Sequence, residues 1–301
     1  MTIVIPMSGP GTRFKNAGYR PPKPLIKIEG KQAIKHVLET FPGEKNIVFI
    51  PSLEQLGVSN MADILQTFRA DAKVIAIKSH EQGPVHTIKL AYNAIPDDQE
   101  TFVCYCNLSG QWNLQDFKKR VQATNADAAV ISVSGFHPFL RNSKGFGHLK
   151  TDTNDNLLEI SETYRGDAFN RFSVGVYWFK TGALMKKYFD ELITKKVLWT
   201  NELACGAAFN LLLRDNKKVI VYDMPRVLQW AVPEDLEEFE AWSRFFAQIC
   251  GKTDYKLKTE IPPARESLVK IASLKSTNPQ MFAYWHAFLS QVSWHPYQQA
   301  E

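Results

Sequence analysis

The sequence of 301 residues contains no long apolar run, although 45% of its residues are hydrophobic. A helix that crosses a bilayer needs roughly 18 to 20 consecutive apolar residues, and no stretch approaches that length. The opening segment "MTIVIPMSG" is short and has no basic residues before it, which predicts a buried strand and not a signal peptide. We therefore expect no membrane partner.

Blocks of like charge are also missing, because the lysine pairs along the chain are isolated from one another. The formal net charge is +5 and the pI is about 8.9, so the protein is mildly basic. This balance suits an anionic ligand, but the charge is too dispersed for a nucleic-acid-binding surface. We expect no nucleic-acid partner.

Cysteine is scarce: the chain has Cys104, Cys106, Cys205 and Cys250, with no C-x-x-C motif and no Cys/His cluster. Disulfide frameworks and zinc sites normally show such patterns. The four cysteines are therefore predicted to be reduced thiols, which favours a cytoplasmic location.

The first half of the chain alternates short apolar runs with segments of helical spacing. The strand candidates are residues 2–7, 46–51, 73–78, 101–106 and 128–134. The helix candidates are residues 31–41, 52–68, 86–95 and 114–124. Nearly continuous apolar strands that alternate with helices are typical of an α/β fold with a mostly parallel central sheet.

The second half has a different texture. A β-hairpin is predicted within residues 145–162, around an Asn-Asp-Asn turn. Strands at 172–180 and 217–224 follow, with a helix at 181–193 between them. A further helix is predicted at 233–249, because proline stands at its start and acidic residues fill its first turn.

A polar connector with a double proline follows this last helix. It divides the chain into a predicted domain over residues 1–250 and a connector with a helical extension over 251–301. The tail from 262 onward has apolar residues at helical spacing on both sides of Pro279. Such a tail packs against its own domain or against another copy, so a homo-oligomer formed through the extension stays open.

A glycine-rich stretch, "SGPGTRF" at residues 8–14, directly follows the first predicted strand. A dinucleotide-binding G-x-G-x-x-G loop would need a third glycine where Phe14 stands, and the P-loop pattern G-x-x-x-x-G-K-[ST] is absent. Two interpretations stay open. The stretch is either a tight strand-to-helix turn with solvent-facing cations or a loop for nucleotide phosphates.

A phosphate loop would explain the residue types in and after this stretch. Gly9 and Gly11 allow backbone N–H groups to approach an anion closely. Arg13 would add a forked contact to phosphate oxygens. Lys23, held in an extended segment between two prolines, would bring a point charge toward the same phosphates.

The segment "MSGPGTRF" followed by "PPKPLIKIEGKQAI" resembles the signature of the sugar-phosphate nucleotidyltransferase family. Downstream, "FSVGVYWFKTGALMKKYFDE" is similar to the strand-helix unit beside the family's sugar pocket. "NELACGAAFNLLL" stands where many members carry an N-G-E-Y-Y-type segment, and "VLQWAVPEDLEEFEAWSRFF" is similar to a Q-W-G-T-P-E-D-L-E-E-Y stretch. The resemblance covers residues 1–247.

The resemblance implies a glycosyltransferase-A-like Rossmann fold that transfers a nucleotidyl group from a nucleoside triphosphate to a sugar 1-phosphate or a similar phosphate. In the family, the glycine loop and a PKPL-type lysine hold the triphosphate, so Arg13 and Lys23 are expected to be catalytic. The residues implied for nucleotide binding are Ser8, Gly9, Gly11, Thr12, Arg13, Lys23, Gln82 and Gly83. Those implied for substrate binding are Asn107, Glu162, Gly175 and Glu202.

Three departures from the family pattern concern metal and phosphate binding. Asn107 stands where the family places an aspartate for Mg²⁺, Gln229 takes the second metal position, and Thr163 replaces a lysine that contacts the sugar phosphate. The family implies Mg²⁺ as a cofactor, but uncharged amides hold it far less well than carboxylates, so no metal ligand is assigned. Asp116 and Asp152 are either substitute ligands or ordinary helix and loop residues.

Two functions therefore stay open. The first is a nucleotidyltransferase that serves surface-polysaccharide precursors. The second is a protein of the same fold that binds a nucleotide or a sugar phosphate but has lost catalysis. A glycosyltransferase is a weaker third possibility, because it would normally need an acidic D-x-D where "CNLSG" stands.

Overall fold

The computed structural model describes residues 1–137, 147–163, 165–166, 169–199, 201–256, 258–269 and 278–297. No helix within these ranges is long and apolar enough to cross a membrane. The strands are β1 (Thr2–Pro6), β2 (Lys27–Ile28), β3 (Lys31–Gln32), β4 (Ile47–Ile50), β5 (Lys73–Val74), β6 (Thr101–Cys104), β7 (Leu108–Gln111), β8 (Ala128–Ser134), β9 (His148–Thr151), β10 (Leu157–Ser161), β11 (Arg171–Phe179), β12 (Val219–Asp223) and β13 (Arg226–Gln229). The helices are α1 (Thr12–Asn16), α2 (Ala33–Glu39), α3 (Leu53–Gly57), α4 (Met61–Phe68), α5 (Pro84–Lys89), α6 (Leu114–Thr124), α7 (Gly182–Lys195), α8 (Ala208–Arg214), α9 (Pro233–Ile249) and α10 (Pro279–Leu289).

The central part of the main sheet has the strand order β5–β4–β1–β6–β11–β8–β12. Its neighbouring strands pair in parallel except around β11, which runs antiparallel to both β6 and β8. All strands in this series except β11 therefore run in the same direction. The predicted mostly parallel α/β sheet is confirmed.

Strand β11 pairs with one strand along one edge and with two strands along the other. On the first edge, β8 pairs with it from Arg171 to Phe179. On the second edge, β6 pairs with Val176–Phe179 and β9 pairs with Arg171 and Phe172. The β9–β10 hairpin therefore lies beyond the carboxyl end of β6, at the edge of the sheet where β1 also ends.

Helices cover the sheet on both faces, which explains why its strands are apolar throughout. Alternate residues of a strand point to opposite faces, so Val4 and Phe179 belong to one apolar cluster, with α5, α7 and α8. Ile3, Ile5 and Trp178 belong to the other cluster, with α2, α4 and α6.

The sequence predicted the long helices better than the short elements. Helices α6 and α9 have the predicted bounds. The prediction of a single helix at 52–68 is wrong, because the segment forms two helices, α3 and α4, with a turn between them. The first of these helices ends at Gly57, and the Ser59 hydroxyl donates back to the Gln55 carbonyl at 2.6 Å, which favours a turn.

The C-terminal extension packs against the domain in which the chain begins. Trp285 of α10 shares an apolar cluster with Phe14 and Trp230. The Tyr284 hydroxyl donates a hydrogen bond of 2.7 Å to the Val227 carbonyl of β13. The extension therefore supports both the segment after the glycine loop and the end of β13.

A buried acid pair joins the connector to the domain. The Tyr255 hydroxyl bonds to Glu29 and, at 3.0 Å, to Glu240. A phenol carries one hydrogen, so the other hydrogen in this arrangement must come from a protonated carboxyl group. Burial, reinforced by the Glu29 charge, raises the pKa of Glu240 to about 8.

This pair predicts a loss of stability at alkaline pH. Because the folded-state pKa of Glu240 is about 8 against an ordinary value of 4.5, the folded state binds more protons than the unfolded state. Stability is then lost as the pH rises through this window. We expect the Tm of the wild type to fall more steeply between pH 6 and pH 9 than the Tm of Glu240→Gln, which cannot ionise.

The matched control is Glu266→Gln, which removes an exposed carboxyl group of the connector region. It should follow the wild-type Tm profile. Parallel profiles for the wild type and Glu240→Gln would show that the acid pair is not protonated in the folded protein.

Candidate functional site

The glycine loop after β1 is held by side chains from two other segments. Ser8 is buried, and its hydroxyl lies 2.9 Å from the Thr87 hydroxyl of α5. The Gln55 side-chain amide of α3 donates to the Gly9 carbonyl at 3.1 Å. The loop is therefore fixed at the carboxyl edge of the sheet before any ligand arrives.

Beyond this point the loop turns outward. Gly11 has φ +67°, a left-handed conformation that costs other residues energy, whereas a Cβ on Gly9 would meet nothing within 4 Å. Thr12 and Arg13 follow in the first turn of α1, and both are exposed. The Arg13 guanidinium is thus available to an anion from solvent.

Lys23 lies beside the loop in a more enclosed position. Its Nζ atom donates to the Ala231 carbonyl at 3.3 Å and lies 5.2 Å from the centroid of the Phe14 ring. Burial lowers the pKa of Lys23, and this effect is opposed by Cys106 and Asp235 and reinforced by Arg13. The two predicted cations therefore lie within electrostatic range of each other.

Asp235, at the start of α9, holds the turn that provides this carbonyl. Its Oδ2 atom accepts hydrogen bonds from the backbone N–H of Ala231 at 2.7 Å and of Val232 at 3.0 Å. Burial raises the pKa of Asp235 to about 6, against the opposing effects of those two N–H groups and of Lys23. The sequence indicated only a helix-dipole role for this residue, because its bonds to the turn depend on where the turn lies.

The segment with the predicted nucleotide-binding residues Gln82 and Gly83 meets the segment that contains Glu202. The Leu203 N–H donates to the Gln82 carbonyl at 2.9 Å, and the Val85 N–H donates to the Leu203 carbonyl at 3.1 Å. Gly83, with φ +94°, lies so close that a Cβ there would be 2.8 Å from the Leu203 nitrogen. Residues 82–83 and 202–203, which are distant in sequence, are therefore in direct contact, and together we call them the rim.

Glu202 lies within electrostatic range of Arg13 at the end of the glycine loop. Partial desolvation raises the pKa of Glu202; the Arg13 charge opposes this shift and the Glu81 charge adds to it. Arg13 thus lies within electrostatic range of both Lys23 and Glu202. Their roles on the nucleotide and acceptor sides stay predictions. Glu162 follows β10 in the hairpin beyond the end of β6.

Gly175 forms a bulge in β11 just below this region. The register with β8 shifts between Ser173 and Val176, and Gly175 has φ +80°. Its carbonyl accepts from the Tyr105 N–H at 3.0 Å, and a Cβ would lie 2.7 Å from the Tyr105 ring. Only glycine fits where these two strands approach each other.

The two positions where the resemblance predicts metal binding, 107 and 229, are neighbours in the structure. The Asn107 carbonyl accepts from the Trp230 N–H at 2.8 Å, and Gln229 pairs with Leu108 across β7 and β13. The Gln229 amide nitrogen donates to the Val174 carbonyl at 2.9 Å, which commits that side chain to β11.

This donor set does not fit Mg²⁺. Asn107 and Gln229 offer uncharged amide oxygens, whereas Mg²⁺ prefers carboxylates in octahedral geometry. Among the described residues, no three His, Cys, Asp or Glu side chains gather where they could hold a metal ion.

The proposed substitutes, Asp116 and Asp152, are engaged elsewhere. Asp116 accepts from the Tyr222 hydroxyl at 2.7 Å, near the far edge of the sheet. Asp152 accepts three hydrogen bonds within the β9–β10 turn, from Asn154 and Asn156. These hydrogen bonds support the interpretation of both as ordinary helix and loop residues.

Residues 3–229 match the family model described as Nucleotidyl transferase. Over 220 residues the chain is 26% identical to the bifunctional protein GlmU of Methanocaldococcus jannaschii. This alignment covers 72% of the chain and 48% of that protein. Over 190 residues it is 24% identical to GlmU of Clostridioides difficile, with coverage of 60% and 38%. The chain therefore spans about half or less of the length of these curated relatives.

Solved structures show the same fold. A nucleoside-diphosphate-sugar pyrophosphorylase from Vibrio cholerae RC9 superposes with a TM-score of 0.63 at 18% identity, covering 78% of this chain and 97% of that one. The inositol-1-phosphate CTP transferase from T. maritima gives 0.59 at 16% identity, covering 78% and 90%. The predicted Rossmann-like nucleotidyltransferase fold is confirmed.

The contact between the two rim segments predicts a steric effect at Gly83. Gly83→Ala and Gly43→Ala both place a side chain at positive φ, but only position 83 also meets backbone, since nothing lies within 4 Å at position 43. We expect Gly43→Ala to lose about 1 kcal/mol of unfolding free energy. Gly83→Ala should lose about 1–3 kcal/mol more, measured by urea denaturation. Equal losses would show that the segments are not in contact.

Proposed function

Because the chain belongs to the nucleotidyl transferase family, we propose that it binds a nucleoside triphosphate on the 8–13 loop and transfers the nucleotidyl group to a sugar 1-phosphate or a similar phosphate. The observation that carries the proposal is the position of Arg13 and Lys23. Both cations lie at the carboxyl edge of the sheet beside a preformed glycine loop, and Lys23 is held by the Ala231 carbonyl at 3.3 Å.

The proposed roles follow from the charge that the reaction moves. An acceptor phosphate oxygen forms a bond to the α-phosphorus, and the bond from that phosphorus to pyrophosphate breaks. Positioning and electrostatic stabilisation carry most of the catalysis of such transfers. Arg13 and Lys23 would hold the triphosphate and stabilise the charge that develops on the leaving pyrophosphate.

The remaining predicted residues would surround the two substrates. Ser8, Gly9, Gly11 and Thr12 would bring backbone close to the phosphates, and Gln82 and Gly83 would contact the base or sugar. Asn107, Glu162, Gly175 and Glu202 would contact the acceptor. The support for placing both sets around one site is the backbone contact between residues 82–83 and 202–203, which joins the predicted nucleotide side to the predicted acceptor side.

Members of the family generally use a divalent metal ion, but the amides of Asn107 and Gln229 do not fit one. No step of the proposed reaction therefore runs through a metal. We place the product among the activated sugars for surface polysaccharides and the reaction in the cytoplasm, where nucleoside triphosphates are available.

A second candidate, a binding protein without turnover, is favoured by one observation. The Gln229 amide is committed to the Val174 carbonyl at 2.9 Å, so the second metal position serves β11 instead. In this case the loop holds a nucleotide or sugar phosphate and the reaction does not proceed.

The test of triphosphate binding is the thermal midpoint with CTP, GTP, UTP, dTTP and ATP, each with and without Mg²⁺. A ligand that binds only the folded state raises the midpoint, by an amount set by its concentration relative to Kd. We expect one nucleotide to raise the midpoint of the wild type and to have little effect on Lys23→Ala. If none of the five shifts the wild type, the proposed function is wrong.

Asn107→Asp separates the two candidates. The change restores a carboxylate at the end of the β6 segment, where it would hold Mg²⁺ far better than an amide does. If the acceptor site is competent, pyrophosphate release from the nucleotide and a sugar 1-phosphate should become dependent on Mg²⁺ and at least about tenfold faster. The control Asn93→Asp adds the same charge at an exposed site after α5 and should change nothing.

Equal rates for Asn107→Asp and the wild type, both at background, would favour the binding protein. A wild type that already turns over at the rate of the variant would show that the amide does not limit the reaction.

A further inference from the structure

The start of α9 has an incomplete helix cap, and the hydrogen bonds of this cap fix the turn that Lys23 contacts. Val232 stands at the N-cap position, where a serine or threonine would accept a backbone N–H. Valine has no acceptor for the Asp235 N–H, so only the other half of a capping box is present: the Asp235 carboxylate accepts from the Ala231 and Val232 N–H groups, at 2.7 and 3.0 Å. These bonds fix the peptide groups on both sides of Ala231.

The same turn fixes the acceptor of Lys23. The Ala231 carbonyl accepts from Lys23 Nζ at 3.3 Å, and the Phe14 ring lies 5.2 Å from that atom. The ammonium group therefore has one polar partner and one aromatic face among these contacts. If the turn moves, the Ala231 carbonyl that Lys23 contacts moves with it.

We propose that Asp235 is a positioning residue: its carboxylate fixes the 231–232 turn and thereby aims the Lys23 ammonium at the bound phosphates. This inference rests on the proposed function, because it takes Lys23 to be a phosphate-binding cation. Both described hydrogen bonds of Asp235 go to backbone N–H groups, so in this proposal it acts on the ligand only through Lys23.

The sign of the effect separates positioning from simple electrostatics. Asp235 brings a negative charge close to an anion site, so Coulomb repulsion alone predicts that its removal strengthens triphosphate binding. Positioning predicts the opposite, because Lys23 loses its aim. The titratable groups around the pair are Arg13 and Cys106 on the side of Lys23 and Glu238 on the side of Asp235. Burial raises the pKa of the Cys106 thiol, which keeps it uncharged.

The experiment measures binding of inorganic triphosphate, which carries no base, by isothermal calorimetry without metal. Asp235→Asn should weaken binding about tenfold, the size of one lost charge-assisted hydrogen bond. Glu234→Gln, the matched control, removes an exposed carboxyl group one residue earlier and should change Kd less than about twofold. Asp235→Glu should restore binding, because a glutamate at this helix position also bonds the N-cap N–H.

A double-mutant cycle excludes a merely structural role. In the Lys23→Ala background, Asp235→Asn should lower the unfolding free energy as much as it does in the wild type, but it should no longer change Kd. The pH profile is a second readout: the ratio of Kd between Asp235→Asn and the wild type should fall toward one as the pH drops below about 6, where the wild-type carboxyl gains a proton. Titration of the ligand cancels in this ratio.

Lys23 can also be followed without any ligand. An amine-acylating reagent should label Lys23 faster in Asp235→Asn than in the wild type, with exposed Lys27 as the internal standard. Unchanged labelling, tighter triphosphate binding by Asp235→Asn, or an equal loss of affinity in the Lys23→Ala background would overturn the inference. If Lys23→Ala and the wild type bind triphosphate equally, the proposed function fails as well.

Discussion

The position of the candidate site depends on one strand that runs against its neighbours. Strand β11 lies antiparallel between β6 and β8, and its first residues extend past the end of β6 to pair with β9. The hairpin beyond β6, and with it Glu162, is placed by this pairing. The bulge at Gly175 allows the strand to bend where Tyr105 approaches, so the constraint at that point is steric: a Cβ would lie 2.7 Å from the ring.

The glycine loop is preorganised by contacts from two other segments, and Lys23 beside it is held by a third. Ser8 meets Thr87, the Gly9 carbonyl meets Gln55, and Lys23 meets the 231–232 turn. A loop held in this way loses little further entropy when an anion binds, which favours affinity. The C-terminal extension adds to this rigidity, because Trp285 packs in the same cluster as Phe14.

Sequence patterns predicted the parts of the fold that depend on local periodicity. The bounds of α6 and α9 follow from their helical spacing and first-turn residues. The pair formed by β7 and β13 was not predicted, since each strand has four residues and the partners are far apart in the chain. Likewise, the type and spacing of Arg13 and Lys23 predicted a cation pair, but the contact with Ala231 exists only after the chain has folded.

The replacement of carboxylates at the two metal positions has an electrostatic consequence for an anionic ligand. Carboxylates at positions 107 and 229 without a bound cation would repel a triphosphate, whereas amides do not. The Gln229 amide also gains a partner on β11, at 2.9 Å, that a carboxylate could not bond without a proton. Under the proposed function, Asn107 and Gln229 would therefore leave the site compatible with phosphates in the absence of a metal. Charge neutralisation would then rest on Arg13 and Lys23, so the precision with which Lys23 is held would matter more here than where a metal shares that role.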